Sequence, residues 1–273
     1  MASGAEREPG ATQAWRSPLR ASSSTKVAAK ACVTSPSDMV LALPGFSQGP
    51  ESWAEQARLT GSSQPWLCPE LAATTLSAAS AELEASSSGA GPLDLIGYSQ
   101  GGRLALYAAA RGVLKLRTLT VISAQAGFEG QTRAARLRAD EELAGKIEVE
   151  GSEWFAEHWA LLQPFAGLRQ RRPDLAEALA AARRRHDPTH LAAQLRGMGA
   201  AAEPPFWSRL AAIEAPTLVI AGGEDERYVA YARRLALILP HCSLEIVPDA
   251  GHVVHLEQPG RVARILARHL HGR

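Results

Sequence analysis

Apolar residues along the chain gather in five short runs that end at Gly, Pro or Ser: Met39–Leu43 (MVLAL), Leu93–Ile96 (LDLI), Leu119–Ile122 (LTVI), Thr217–Ala221 (TLVIA) and Leu244–Val247 (LEIV). Continuous rather than alternating runs mark strands buried on both faces of a parallel sheet. Between most of them the apolar spacing lengthens to a helical period, as over Arg103–Arg111 and Tyr228–Leu239. Strand and helix in alternation predict an α/β fold with a mostly parallel central sheet. The pattern changes over about 129–202, which is helical, rich in Arg and Glu, and carries Trp154, Trp159 and the punctuation Gln163-Pro164. Some 70 residues between two strands are too many for a simple crossover. The segment is therefore expected to form a helical cap, inserted after the strand at about 119–123 and lying over the carboxyl edge of the sheet. Residues 1–37 show little periodicity and are dominated by Ala, Ser, Thr, Pro and Gly. Without a continuous apolar stretch they do not read as a secretory leader, and a disordered extension is expected there. That leaves 38–273 as one domain with its cap.

Composition narrows the partners. Net charge is +1, from 29 basic and 28 acidic residues, so no electrostatic field favours nucleic acid or an anionic bilayer. No stretch approaches the roughly 18 consecutive apolar residues of a membrane span. Cys32, Cys68 and Cys242 are odd in number and far apart. They suggest neither a disulfide framework nor a zinc site, and a reducing cytoplasm suits them. Oligomeric state leaves no mark on the sequence.

Candidate chemistry concentrates at the ends of strands. Gly97-Tyr98-Ser99-Gln100-Gly101-Gly102 follows LDLI and precedes a helical pattern, which puts a G-x-S-x-G in strand–turn–helix context. Glycines on both sides are expected to permit the strained turn that lifts a serine hydroxyl to the sheet edge. A nucleophilic serine needs a base, and the base an orienting acid, in the chain order Ser, Asp or Glu, His. Asp225 in Gly222-Gly223-Glu224-Asp225 follows TLVIA, and His252 in Ala250-Gly251-His252 follows LEIV. Either alone would be an ordinary surface loop residue. Glu224 and His255 are the rivals, and Asp225 and His252 are preferred by their places in the turns. Two backbone N–H groups should face the developing oxyanion, one from Gln100 and one from Phe46 in Leu43-Pro44-Gly45-Phe46-Ser47. No H-E-x-x-H, phosphate-binding loop or dinucleotide fingerprint occurs, so neither a metal nor an organic cofactor is implied.

Gly97-Tyr98-Ser99-Gln100-Gly101-Gly102-Arg103 resembles the GYSxGGR signature of the 2-succinyl-6-hydroxy-2,4-cyclohexadiene-1-carboxylate synthases of menaquinone biosynthesis, a branch of the α/β-hydrolase fold. The likeness runs from Met39 to the C-terminus. It includes the arginine-bearing segment Thr132–Arg138, the cap segment Phe155–Trp159 with Gln163-Pro164-Phe165, Arg183 ahead of Leu191–Leu195, and Gly251-His252-Val253-Val254-His255-Leu256-Glu257-Gln258-Pro259. The family's reaction is a lyase step that eliminates pyruvate from a small polycarboxylate. The resemblance implies that Ser99, His252 and Asp225 form the base, and that Phe46 and Gln100 form the oxyanion hole. It also implies that Arg103, Arg136 and Arg183 hold substrate carboxylates while Tyr98 and Trp159 line the pocket. Arg138, Arg184 and Arg185 are read as surface. Two departures stand out: Pro44 replaces a His, and Trp66-Leu67-Cys68-Pro69-Glu70-Leu71 replaces a Gly-His-Gly turn, which alters one stretch of pocket wall. A serine hydrolase, either an esterase or a C–C bond hydrolase, would use the same triad. A binding protein of this fold could keep the triad but would have no use for the arginines.

Overall fold

Why the apolar runs are continuous is plain in the computed structural model, which describes residues 39–88 and 91–271. The five runs form strands and a sixth joins them: β1 (Val40–Leu43), β2 (Trp66–Leu67), β3 (Leu93–Tyr98), β4 (Leu116–Ile122), β5 (Thr217–Gly222) and β6 (Cys242–Val247). All pair in parallel, in the order β2-β1-β3-β4-β5-β6. Successive side chains leave a strand on opposite faces, and in β1, β3, β4 and β5 both faces are covered, while the edge strand β6 is only partly buried. Leu41, Leu95, Leu119 and Val219 enter one apolar cluster, while Val40, Ile96, Ile122 and Ile220 enter another. A strand with no solvent side has no cause to alternate.

The helices are α1 (Ala54–Leu59), α2 (Leu76–Ser86), α3 (Gln100–Ala110), α4 (Gly130–Leu161), α5 (Ala166–Arg171), α6 (Pro173–Arg183), α7 (Pro188–Met198), α8 (Glu226–Ile238), α9 (Val254–Glu257) and α10 (Pro259–His271). α2, α3 and α8 pack on the first sheet face, α1 and α10 on the second. α10 shows the reason in its own sequence: Val262, Ile265, Leu266 and Leu270 recur at helical spacing and are buried together. β4 starts three residues earlier than its apolar run because its polar residues are paired inside. Asp94 of β3, fully buried, accepts from Arg117 Nε at 3.0 Å and from Thr118 Oγ1 at 2.7 Å.

Between β4 and β5 the chain forms α4 to α7. Ala144, Ile147, Phe155, Leu191 and Leu195 make a small core of their own. α4 bends at Gly151, whose φ of 82° interrupts the helix. Phe46, just beyond the C-terminal end of β1, packs on this second core, with ring centroids 5.7 Å from Phe155 and 5.2 Å from Trp159. The inserted helices thus lie over the carboxyl ends of the strands. The extension expected over residues 1–37 lies outside the described residues. Among the described residues no helix is long and apolar enough to cross a membrane.

Candidate active site

β3 ends at Tyr98 and α3 begins at Gln100, so Ser99 alone makes the turn. Its φ of 51° and ψ of −110° cost a residue with a Cβ on the order of 1–3 kcal/mol. The ladder holds it there: Ser99 N–H donates to the Ile122 carbonyl and Arg103 N–H to the Ser99 carbonyl, each at 2.9 Å. The flanking glycines act differently from the expectation. Neither Gly97 nor Gly101 has a positive φ, so the strained conformation falls on Ser99 itself. Their role is closeness: a Cβ on Gly97 would collide with the Gly101 carbonyl, and one on Gly101 with the carbonyls of Leu43 and Pro44.

The loops after β5 and β6 bring their residues to the same point. His252 Nε2 lies 3.2 Å from Ser99 Oγ, and His252 Nδ1 lies 2.7 Å from Asp225 Oδ2. Asp225 also caps α8, its Oδ1 accepting from Tyr228 N–H at 3.2 Å, which fixes Oδ2 towards the imidazole. With Asp225 ionised, Nδ1 carries the proton and the Nε2 lone pair faces the serine hydroxyl. The rivals are occupied elsewhere. Glu224 pairs with Arg171. His255 is fully buried between the rings of Trp53 and Tyr98, and burial holds its imidazole down to about 3. Neither the N–H of Phe46 nor that of Gln100, the first residue of α3, has a hydrogen-bond partner among the described residues. Both point to no acceptor among these residues, and that of Gln100 stands at the positive end of a helix dipole.

Ser99 and His252 open on a cavity of about 390 Å³ under the inserted helices, with Phe46, Trp159 and Tyr228 on its wall. Its charged lining is Arg103, Arg136, Lys146 and Arg227 against Asp140 and Glu142, a cationic excess that the nearly neutral chain total hides. Arg103 is 6% exposed. It donates through Nη2 to the Met198 carbonyl, while its Nε has no partner. Burial pulls this guanidinium down to about 10. Arg136 donates through Nε to Asp140 Oδ1 at 2.7 Å. Asp140 is buried, its Oδ2 is unpartnered, and burial raises its carboxyl above the usual range.

Two expected pocket residues stand elsewhere. Tyr98 does not line this cavity: it is the last residue of β3, its side chain falls on the sheet face shared with Val40 and Ile96, and its ring packs 5.5 Å from His252. Arg183, 3% exposed, is also off the wall. Its face of α6 points at the loop after β1, where Nε donates to Ser47 Oγ at 3.2 Å, and its guanidinium lies 5.8 Å over the ring of Phe165. Burial lowers it to about 10. The altered stretch Cys68–Leu71 borders a neighbouring cavity of about 320 Å³, which shares Gln100 and Met198 with the first. Asp140, Lys146 and Arg227 were missed by sequence reasoning. Only Asp140 had a signal there, its i,i+4 spacing from Arg136. Among the described residues no three His, Cys, Asp or Glu side chains are grouped to hold a metal ion.

Comparison with known proteins adds the following. Residues 11–265 match the model of the Alpha/beta hydrolase family. A Bacillus subtilis (strain 168) protein, provisionally named 2-succinyl-6-hydroxy-2,4-cyclohexadiene-1-carboxylate synthase, is 35% identical over 178 residues, 64% of this chain and 65% of that protein. The 2-succinyl-6-hydroxy-2,4-cyclohexadiene-1-carboxylate synthase of Enterobacter sp. (strain 638) is 31% identical over 175 residues, again 64% and 65%. The matched region spans just under two thirds of the length of these relatives. Among solved structures, MenH from S. aureus superposes with a TM-score of 0.80 at 22% identity, covering 89% of this chain and 96% of that one. A malate-bound thermophilic esterase from Thermogutta terrifontis gives 0.71 at 22% identity, covering 87% and 91%. At such identities the structural likeness speaks to the fold alone.

Proposed function

Because this chain belongs to the Alpha/beta hydrolase family, we propose that its Ser–His–Asp set acts as a base and eliminates pyruvate from a cyclohexene tricarboxylate. The substrate in this reading is 2-succinyl-5-enolpyruvyl-6-hydroxy-3-cyclohexene-1-carboxylate, as the names of the curated relatives suggest. The product is 2-succinyl-6-hydroxy-2,4-cyclohexadiene-1-carboxylate, in menaquinone biosynthesis and in the cytoplasm. The observation that carries it is the cationic excess on the cavity wall beside Ser99: a neutral ester has no use for Arg103 and Arg136, whereas carboxylates bind guanidinium groups well.

His252 Nε2 takes the Ser99 proton, and Ser99 Oγ removes the proton from the ring carbon bearing the succinyl carbonyl. Charge gathers on that carbonyl oxygen, where the N–H groups of Phe46 and Gln100 meet it. The electron pair then forms a ring double bond at that carbon, the existing double bond shifts by one position, and the C–O bond to the enolpyruvyl group breaks. The imidazolium of His252, stabilised by Asp225, returns a proton, and pyruvate leaves. Arg103 and Arg136 hold carboxylates during these steps.

A second reading, a serine hydrolase, is favoured by one observation. A further opening bordered by Gln163, Gly167, Asp225 and His252 would give water a route to the imidazole for deacylation. Pyruvate release from the enolpyruvyl substrate, followed with a coupled dehydrogenase against the spontaneous rate, decides between them. Release that is lost in Ser99→Ala supports the elimination. Release at the spontaneous rate, with Ser99-dependent cleavage of p-nitrophenyl esters, replaces it with the hydrolase.

A further inference from the structure

His252 sits on a short loop with no strand to hold it, yet both backbone N–H groups flanking it are tied to one side chain. Glu257, buried at the end of α9, accepts from Gly251 N–H at 2.9 Å and from Val253 N–H at 3.1 Å. A buried carboxylate held only by two amides would be short of countercharge. The missing cation comes from the inserted helices: Arg171, the last residue of α5, donates through Nη1 to Glu257 Oε2 at 2.6 Å. Its Nη2 turns the other way and donates to Glu224, the residue next to Asp225. Gly167, one turn back on α5, leaves the room, since a Cβ there would collide with both the Arg171 guanidinium and the Glu257 carboxylate. Arg171 borders neither the main cavity nor the opening beside Asp225.

We infer that Arg171 is a positioning residue: bridging Glu257 and Glu224 from the inserted helices, it fixes the loops of His252 and Asp225 against each other. This rests on the reading of Ser99, His252 and Asp225 as the proton-transfer set. One guanidinium spans two carboxylates because its donors diverge in a rigid fork, which an ammonium lacks. Its next neighbour strengthens the contact, as Arg172 Nη1 donates to the Leu256 carbonyl at 3.0 Å. The two loops also meet directly, Glu224 N–H donating to the Ala250 carbonyl at 2.9 Å, so Arg171 braces the 2.7 Å contact between His252 and Asp225 from the far side of each loop while touching neither residue.

The test compares Arg171→Met, Arg171→Lys and Glu224→Gln with the parent and with Ser99→Ala, on the enolpyruvyl substrate and on a p-nitrophenyl ester. For Arg171→Met, kcat is expected to fall about 10- to 100-fold on whichever substrate the parent turns over, the effect of a sub-ångström to ångström misplacement. KM should stay within about threefold, since no substrate contact is removed. The low-field proton NMR resonance of His252 Nδ1–H should shift or broaden, and Arg171→Lys should restore part of kcat. Glu224→Gln, which cuts only the exposed arm, should show a smaller loss of the same kind and decides the matter if Arg171→Met does not fold. Unchanged kcat with an unchanged low-field resonance in the folded variants overturns the inference, as does a rise in KM alone. Activity that survives Ser99→Ala instead removes the triad reading on which it rests.

Discussion

Replacing Arg103 by methionine is expected to make the protein more stable and much less active. Its guanidinium is 6% exposed and burial pulls it well below its ordinary value, to about 10, so keeping the charge there at neutral pH costs the fold about 3 kcal/mol. Methionine fills much of the same space, removes the charge and eliminates the unpartnered Nε. The substitution gives up the bond from this charged donor to the Met198 carbonyl, worth about 1.5–3 kcal/mol, although that carbonyl still accepts from Gln100 Nε2 at 3.3 Å. The net gain is about 1 kcal/mol, or about 2–4 °C in Tm for a domain of this size. Linkage fixes the sign. Below pH 10 the native state carries the full penalty. Above pH 10 it releases the proton while the unfolded chain still keeps it, so native stability rises and the advantage of Arg103→Met shrinks. On the activity side, a substrate carboxylate deprived of its Arg103 partner costs about 2–4 kcal/mol, roughly 30- to 1,000-fold in kcat/KM. Thermal unfolding at pH 7 and pyruvate release measure the two effects. A variant that melts below the parent refutes the desolvation argument, and one whose kcat/KM stays within about threefold refutes the carboxylate role.

Asp225→Asn leaves the shape of the site and turns the imidazole towards the wrong tautomer, so turnover should fall about 10³- to 10⁴-fold with little change in Tm; a loss below tenfold would mean the acid is not needed. Burial raises the Asp140 carboxyl above its ordinary value, so over the pH window just above that value the native state holds a proton that the unfolded chain has already lost. Native stability from this group is therefore present at low pH and declines as pH rises through that window, and urea titrations from pH 3.5 to 7 should show the decline flattened in Asp140→Asn. The Cys68 thiol, pushed up to about 12 by burial, holds about a thousandfold less thiolate than an ordinary cysteine. Native-state iodoacetamide labelling at pH 8, read by peptide mass spectrometry, should leave it almost unmodified, whereas urea exposes it.

Those features were readable in the sequence to different degrees, and the reasons are physical. Strands β3, β4 and β5 announced themselves because two-sided burial leaves continuous apolar runs. β2 did not, because two residues carry no period, and the start of β4 was hidden by Arg117 and Thr118, whose pairing with Asp94 is a tertiary fact. The juxtaposition of Ser99, Asp225 and His252 was legible from order alone, since a parallel sheet delivers every strand end to one edge. Which side of that edge a side chain takes was not. Tyr98 and Arg183 were both expected on the wall, yet one falls on the sheet face below the site and the other turns to Ser47. Glu257 was visible only as an acid five residues beyond His252 with no role attached, and its partner Arg171 is 86 residues away along the chain, so nothing local points to the pair.

The inserted helices leave the sheet after β4 and rejoin it at β5, two strands that pair side by side from Leu119–Thr217 to Ile122–Ile220. In polymer terms they are a loop whose ends are already closed. Doubling such a loop adds only about 0.6 kcal/mol of closure entropy, so its length and sequence are almost independent variables for the sheet. The fold thereby separates positions bound by packing from positions free to vary. The turns that carry Ser99, Asp225 and His252 are bound by register and close packing, while α4 to α7, which supply Arg136, Asp140 and Trp159 to the cavity wall, can drift. New substrate preferences on this scaffold should arise there first, subject to the contacts Arg171 and Arg172 keep with the loop of His252.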